Sequence, residues 1–271
     1  MTNSTEGLEL AEIIFYAIAT IPAIYCFVKH GKHGLFGWLY VIVMCGLRLV
    51  GNSMAYHAMS TTGEPNVTAS IINGIGLSPL LMASLGFLSE SNHSIQRTLP
   101  AFLGGFGLLI PHLVIGAGIG LAAASSKHSI LLEVGLVIFA IGWLIVVAFT
   151  FISWKANSAS LRSDDEKKIL LSVMIAMPLV GVRVIYAVAS AFAHHSASGG
   201  SLPVRIIFGT LPEFLVMVNY LTAGVVTRNL PRNRMEQRPE PAHEYQMVRL
   251  VLHFLGGVLS CTEQKAARSE H

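Results

Sequence analysis

Charge is what this 271-residue sequence has least of. Charged residues make up 12% of it, against 53% hydrophobic. A soluble domain usually carries about 25% charged residues. The deficit excludes an ordinary soluble domain and any extended nucleic-acid surface, which needs clustered Lys and Arg. Cysteine is scarce too. Cys26, Cys45 and Cys261 are too few for a disulfide framework or a cysteine-rich metal site. Two of them lie inside apolar runs and read as small buried hydrophobes. A basic leader is missing: the opening "MTNSTEGLELAE" is acidic, so the first apolar run is expected to stay in the mature chain. The sequence also lacks H-E-x-x-H, a Walker A loop and a nucleophile elbow. No metal and no cofactor are expected.

What the sequence does have is long apolar runs. Seven are near the length of about 20 residues that a membrane crossing needs: roughly 8–28, 35–58, 67–88, 99–123, 130–154, 168–193 and 203–227. The expected fold is therefore all-α, a polytopic bundle of seven spans over residues 1–228. A tail follows over 229–271, with a possible surface helix at 246–259. Positive charge orients the bundle. With the N-terminus outside, the inner segments hold Lys29, Lys32, Arg97, Lys155, Arg162, Lys167, Lys168, Arg228, Arg232, Arg234 and Arg238, and the outer ones only Lys127 and Arg205. The N-terminus is thus outer or lumenal and the C-terminus cytosolic. The sequons at Asn3 and Asn66 fall outside as glycosylation candidates, whereas the one at Asn92 falls inside and is expected to be unused. The last span holds no lysine, which removes a retinal Schiff base. Asp-Arg-Tyr and Asn-Pro-x-x-Tyr are both missing where rhodopsin-like receptors carry them.

The spans echo one another. "GLRLV" in span 2 matches "GVRVI" in span 6, "GLSPL" in span 3 matches "GTLPE" in span 7, and "LAEII" in span 1 matches "LLEVG" in span 5. A 3+1+3 parallel repeat with span 4 as linker accounts for these recurrences.

Ionisable residues inside spans point to function. Arg48 lies 13 residues from the inner start of span 2, about 20 Å up at 1.5 Å per residue. Asn52 shares its face one turn on. Arg183 lies at similar depth in span 6, with Tyr186 at i+3. Glu12, Glu133, Glu213, Asn73 and His112 complete a polar layer at mid-depth or in the outer half, and the inner half reads as nearly bare. Two arginines, which stay charged, and three glutamates leave one carboxyl over. Glu12 and Glu133 are matched by the repeat and read as partners for the arginines or as interfacial residues. Glu213, after Pro212, has no counterpart, since Leu80 follows Pro79. It is the expected unpaired acid, a candidate proton donor in a dry site.

The segments "LELAEIIFYAIATIPAIYCFVKHG", "GWLYVIVMCGLRLVGN", "GIGLSPLLMASLGFL", "VRVIYAVASAF" and "PEFLVMVNYLTAG" resemble an uncharacterised family of fungal seven-span membrane proteins over residues 8–228. In size, span count and a buried acid the chain also resembles fungal membrane-bound terpenoid cyclases of meroterpenoid pathways. That second resemblance implies acid-initiated cyclisation of a prenylated, lipophilic substrate in secondary metabolism, in the endoplasmic reticulum membrane. Glu213 and Tyr186 would act at the reacting centre. Phe15, Tyr220 and Phe214 would offer faces to a cation. Membrane lipid is the other expected partner, and nucleic acid is not one. The alternative from the repeat and the paired prolines is a small-solute transporter, and a receptor-like or scaffold protein is a further one.

Overall fold

The computed structural model describes residues 2–62, 66–95, 108–124, 129–156, 162–194 and 200–229. Seven helices account for nearly all of them. The segment Thr2–Thr62 reverses at Gly31 into α1 (Ser4–Lys32) and α2 (Gly34–Thr62). α3 (Thr68–Ser91) is interrupted at Gly76. α4 (Leu109–Ala123), α5 (Ser129–Lys155), α6 (Asp164–His194) and α7 (Leu202–Val226) follow. Six are long and apolar enough to span a bilayer. The exception is α4, whose 15 described residues are the latter part of the expected span 99–123. The chain is a polytopic membrane protein. The possible surface helix at 246–259 lies outside the described residues, as does the side chain of Asn3.

Lipid explains the surface. Ile14, Ile18, Ile21 and Val28 form an exposed apolar stripe on α1, and Ile185 and Phe192 are exposed on α6. Such a surface would drive association in water but suits hydrocarbon. Inside, close helix approach depends on small residues. A Cβ on Gly118 would lie 2.7 Å from the Phe139 nitrogen, and one on Gly135 would lie 2.6 Å from the Ala122 nitrogen, so α4 and α5 pack backbone to backbone. Ile95, just past α3, is buried against Phe149 and Ile152 of α5 and Ala156 just beyond it.

Two local devices position the polar residues. Gly31 adopts φ 61°, ψ −147°, a conformation that L-residues with a Cβ rarely adopt. It folds α2 back after α1. In α7, residues Arg205–Thr210 form a π-turn directly before Pro212, and the Leu211 N–H reaches back to the Ile206 carbonyl. Proline has no N–H to donate one turn back, so the helix tolerates an extra residue there.

Ser163 caps α6. Its hydroxyl accepts from the Glu166 N–H at 3.3 Å, and the Glu166 carboxylate accepts from the Ser163 N–H at 3.0 Å, the reciprocal capping box. Asn66 likewise caps α3, accepting from the Ala69 N–H at 3.1 Å. Gly31→Ala will cost about 1–3 kcal/mol, the strain of holding a Cβ-bearing residue at a positive φ with an extended ψ. Gly7→Ala, with nothing within 4 Å of the added carbon, will be neutral or better. Thermal unfolding of the detergent-solubilised variants checks the contrast.

Candidate functional site

The outer layer is built as a ladder. On α1, Glu9, Glu12 and Tyr16 recur at intervals of three and four residues and so share one face. On α7, Arg205, Thr210 and Glu213 are spaced five and three apart. An interval of five is out of phase in an α-helix but in phase across a π-turn. The π-turn therefore sets three rungs. Arg205 donates to Glu9 Oε1. Thr210 Oγ1 donates to Glu12 Oε1 at 2.7 Å. Tyr16 Oη donates to Glu213 Oε1 at 2.6 Å.

α2 adds a third rail. Asn52 Nδ2 donates to Glu12 Oε2 at 2.8 Å, and Arg48, one turn away, donates through Nη2 to Glu213 Oε2. From α6, Arg183 Nε lies 3.5 Å from the same oxygen. Its guanidinium stacks over the Tyr186 ring, 5.6 Å from the centroid. Phe15 and Phe214 stack at 3.8 Å, with Tyr16 edge-on to Phe214 at 5.7 Å. Asn73 packs beside the cluster, where a Cβ on Gly51 would strike it. Arg48 and Arg183 are each 5% exposed and Glu213 2%, so these charges are screened by protein and lipid rather than by water.

This geometry corrects the charge pairing expected from the repeat. Glu213 is not the acid left over: it is shared by both arginines. Glu12 makes no guanidinium contact among the described residues and is held by the neutral donors Asn52 and Thr210. Glu133 is half-buried near the start of α5, one turn from Leu136, which packs on Ala187 and Ala191 beyond Arg183. Tyr220 does not face the cluster either. It lies seven residues inward of Glu213, about 10 Å along α7, hydrogen-bonded to Ser84 at 2.7 Å. His112 donates from Nδ1 to the Leu108 carbonyl at 2.7 Å and lies 6.0 Å from the Tyr40 ring, apart from the layer. Tyr16 and Glu9 went unnoticed in the sequence. Their i, i+3, i+7 spacing around Glu12 was the available signal.

The inner half is not bare. His30 of α1 sets Nδ1 2.7 Å from Glu90 Oε1 of α3 and Nε2 2.9 Å from the Gly224 carbonyl of α7. Gly34 makes room: a Cβ there would lie 2.5 Å from His30 Cβ and 3.0 Å from Glu90 Oε1. Nearer the inner loops, Arg162 Nη2 donates to Asn92 Oδ1 at 2.7 Å and to Ser153 Oγ at 3.2 Å. Burial pulls the Arg162 guanidinium below its ordinary pKa, and the Glu166 carboxylate opposes the shift. Asn92, 3% exposed, is thus a structural residue. These inner residues flank the span ends, where ionisable groups read as ordinary loop charges.

The model of a family described as a domain of unknown function, DUF7702, matches residues 2–230, and the chain belongs to that family. No curated protein and no solved structure matches it.

Removing one member of a buried ion pair strands its partner. Glu213→Gln leaves two buried guanidinium groups without their carboxylate and will destabilise the bundle by about 3–5 kcal/mol. Tyr16→Phe removes one hydrogen bond to a charged group and will cost about 1.5–3 kcal/mol. Unfolding midpoints of the two variants and of the double mutant give the ranking and the coupling. Equal, small losses would contradict the shared-carboxylate arrangement.

Proposed function

We propose that this chain is a membrane carrier for a small solute, in which two buried polar locks release in alternation. The observation that carries the reading is that α7 is bonded to α1 at both ends by side chains. The outer lock is the Glu9, Glu12 and Tyr16 ladder, joined by Arg48 and Arg183 at Glu213. The inner lock is His30, held between Glu90 and the Gly224 carbonyl. The π-turn and Pro212 weaken α7 where it meets the outer lock, the kind of interrupted helix that gated carriers use. Closing one end while the other opens is a movement of α7 against α1, with each lock made of bonds that can break one at a time. The same reading assigns residence in the endoplasmic reticulum membrane, where a chain with lumenal sequons at Asn3 and Asn66 is inserted.

A second reading, acid-initiated cyclisation of a prenylated substrate, draws on the Phe15–Phe214 stack beside Glu213, which offers aromatic faces to a cation. It ranks second because it asks Glu213 to release a proton from between two guanidinium groups. Microsomes supplied with a farnesylated epoxide yield a cyclic product under this reading and none under the first.

The carrier reading predicts that tethering the outer lock stops transport. With Glu12→Cys and Thr210→Cys joined by a reducible bifunctional thiol reagent, proteoliposome uptake will fall at least about tenfold, a coupling of about 1.4 kcal/mol or more, and recover on reduction. Undiminished uptake after cross-linking, or no uptake by the wild type across a broad metabolite panel, would count against a carrier.

A further inference from the structure

We propose that His30 and Glu90 together bind one exchangeable proton, and that this site couples solute movement to protons; the coupling rests on the carrier reading, whereas the proton site stands without it.

Donor and acceptor chemistry carries the first half. The Gly224 carbonyl can only accept, so His30 Nε2, 2.9 Å away, carries a hydrogen. Nδ1 then faces Glu90 Oε1 at 2.7 Å. Without a hydrogen between them, two lone pairs would oppose each other at hydrogen-bonding distance. One proton must therefore lie in that contact, on the ring as imidazolium with carboxylate or on the oxygen as neutral imidazole with carboxylic acid. Both forms are neutral as a pair and share one shape. Losing the proton leaves a net negative charge in a site where the side chains are 0% and 2% exposed, and burying a bare charge is costly.

The position of the pair gives the proton both a mechanical effect and a route. Gly224 lies two residues before the end of α7 at Val226, so its carbonyl is among those a helix leaves without a backbone partner. His30 caps it, and an imidazolium is favoured at a helix C-terminus. Deprotonation leaves the ring one hydrogen for two acceptors: His30 either parts from Glu90 or turns that hydrogen to Nδ1 and gives up the Gly224 carbonyl, so one of the two contacts of the inner lock is lost. The inner lock therefore opens as pH rises through the titration of the pair and closes as pH falls.

Glu90 Oε2 is buried and makes no hydrogen bond. Glu90 borders a cavity of about 10 Å³ lined by Trp38, Ser172, Tyr220 and Gly224 among others, close to the room that one water needs. Ser172 Oγ, on the cavity wall, accepts from Asn219 Nδ2 at 3.1 Å. His30 itself adjoins the Gly31 turn, where the chain passes from α1 to α2.

Other titratable groups surround the pair among the described residues. Asp165, in the first turn of α6, acts on His30. Cys26, one turn back on α1, feels Glu90. Lys29 and Lys32 flank His30 in sequence. α2 presents Gly34 and the Trp38 ring, α6 presents Ser172, and α7 presents the Gly224 carbonyl and, across the cavity, Tyr220.

Trp38 makes the site readable, since its ring lies 5.2 Å from that of His30 and imidazolium quenches indole emission more strongly than imidazole does. In full-length protein in lipid nanodiscs, with Trp143→Phe and Trp154→Phe, emission will follow a one-proton transition between about pH 5 and 9. His30→Gln abolishes it. Glu90→Gln, which removes the carboxylate and keeps the shape, moves the midpoint to lower pH. Either variant suffices where the other fails to fold. Flat emission across that range, or an unchanged transition in His30→Gln, overturns the proton site.

In proteoliposomes, wild-type uptake will respond at least about tenfold to an imposed pH gradient, and Glu90→Gln will only equilibrate solute down its own gradient. Uptake indifferent to the gradient, with the emission transition intact, overturns the coupling and leaves a carrier. No uptake of any solute, with the transition intact, overturns the carrier reading and leaves the proton site.

Discussion

One carboxylate serving two buried arginines is the constraint around which this bundle closes. Arg48 and Arg183 cannot shed their charge, and water does not reach them. Each must find an anion, and both find Glu213. That requirement brings α2, α6 and α7 to one point, and Tyr16 adds α1. The rest of the layer completes the balance. Arg48, Arg183 and Arg205 stand beside Glu9, Glu12 and Glu213, three residues of each type on four helices. Glu12 reaches the arginines by proximity rather than by contact, its oxygens occupied by Asn52 and Thr210. A layer of this kind gives the helices a register that apolar packing alone does not, because lipid tails compete with apolar side chains but not with charges.

The ladder also explains a backbone irregularity. α1 offers its polar groups at intervals of three and four residues, the natural rhythm of an α-helix. α7 offers Arg205, Thr210 and Glu213 at five and three. Without the extra residue of the π-turn, Arg205 would rotate away from Glu9 when Glu213 faced Tyr16. The turn sits where Pro212 already removes a backbone donor, so the register is adjusted at the position where the helix loses least.

Six of the seven expected spans, with their approximate ends, and the gathering of Arg48, Arg183 and Glu213 at one level of the bundle were legible because each depends on local composition and on distance from a helix end. Partnership was not legible, because it depends on how each helix is rotated about its axis. The internal echo misled at that point. Matching Glu12 to Glu133 and Arg48 to Arg183 implied two similar pairs, whereas the two arginines converge on the one acid that the echo lacks. Tyr16 escaped notice because aromatic residues abound in membrane helices and nothing local separates a tyrosine bound to a carboxylate from one in packing. His30 and Glu90 escaped for the opposite reason: they stand at span ends, where ionisable residues are ordinary, and only the reversal at Gly31 and the absence of a Cβ at Gly34 bring them together beneath α7.

The two ends of the bundle differ in chemistry. Outer contacts at Glu213 come from arginines, whose charge does not change over any physiological pH. They yield only when another anion competes for the guanidinium groups or when a helix moves. The inner contact depends on a single proton between an imidazole and a carboxyl, and imidazole is the side chain that changes charge near neutrality. In the proposed carrier, a proton then acts on the inner end alone. With α1 and α7 common to both locks, release at one end is transmitted, in the proposed carrier, along the same helix pair that must hold at the other, so a proton gradient acting on the titratable end would set the direction of the cycle.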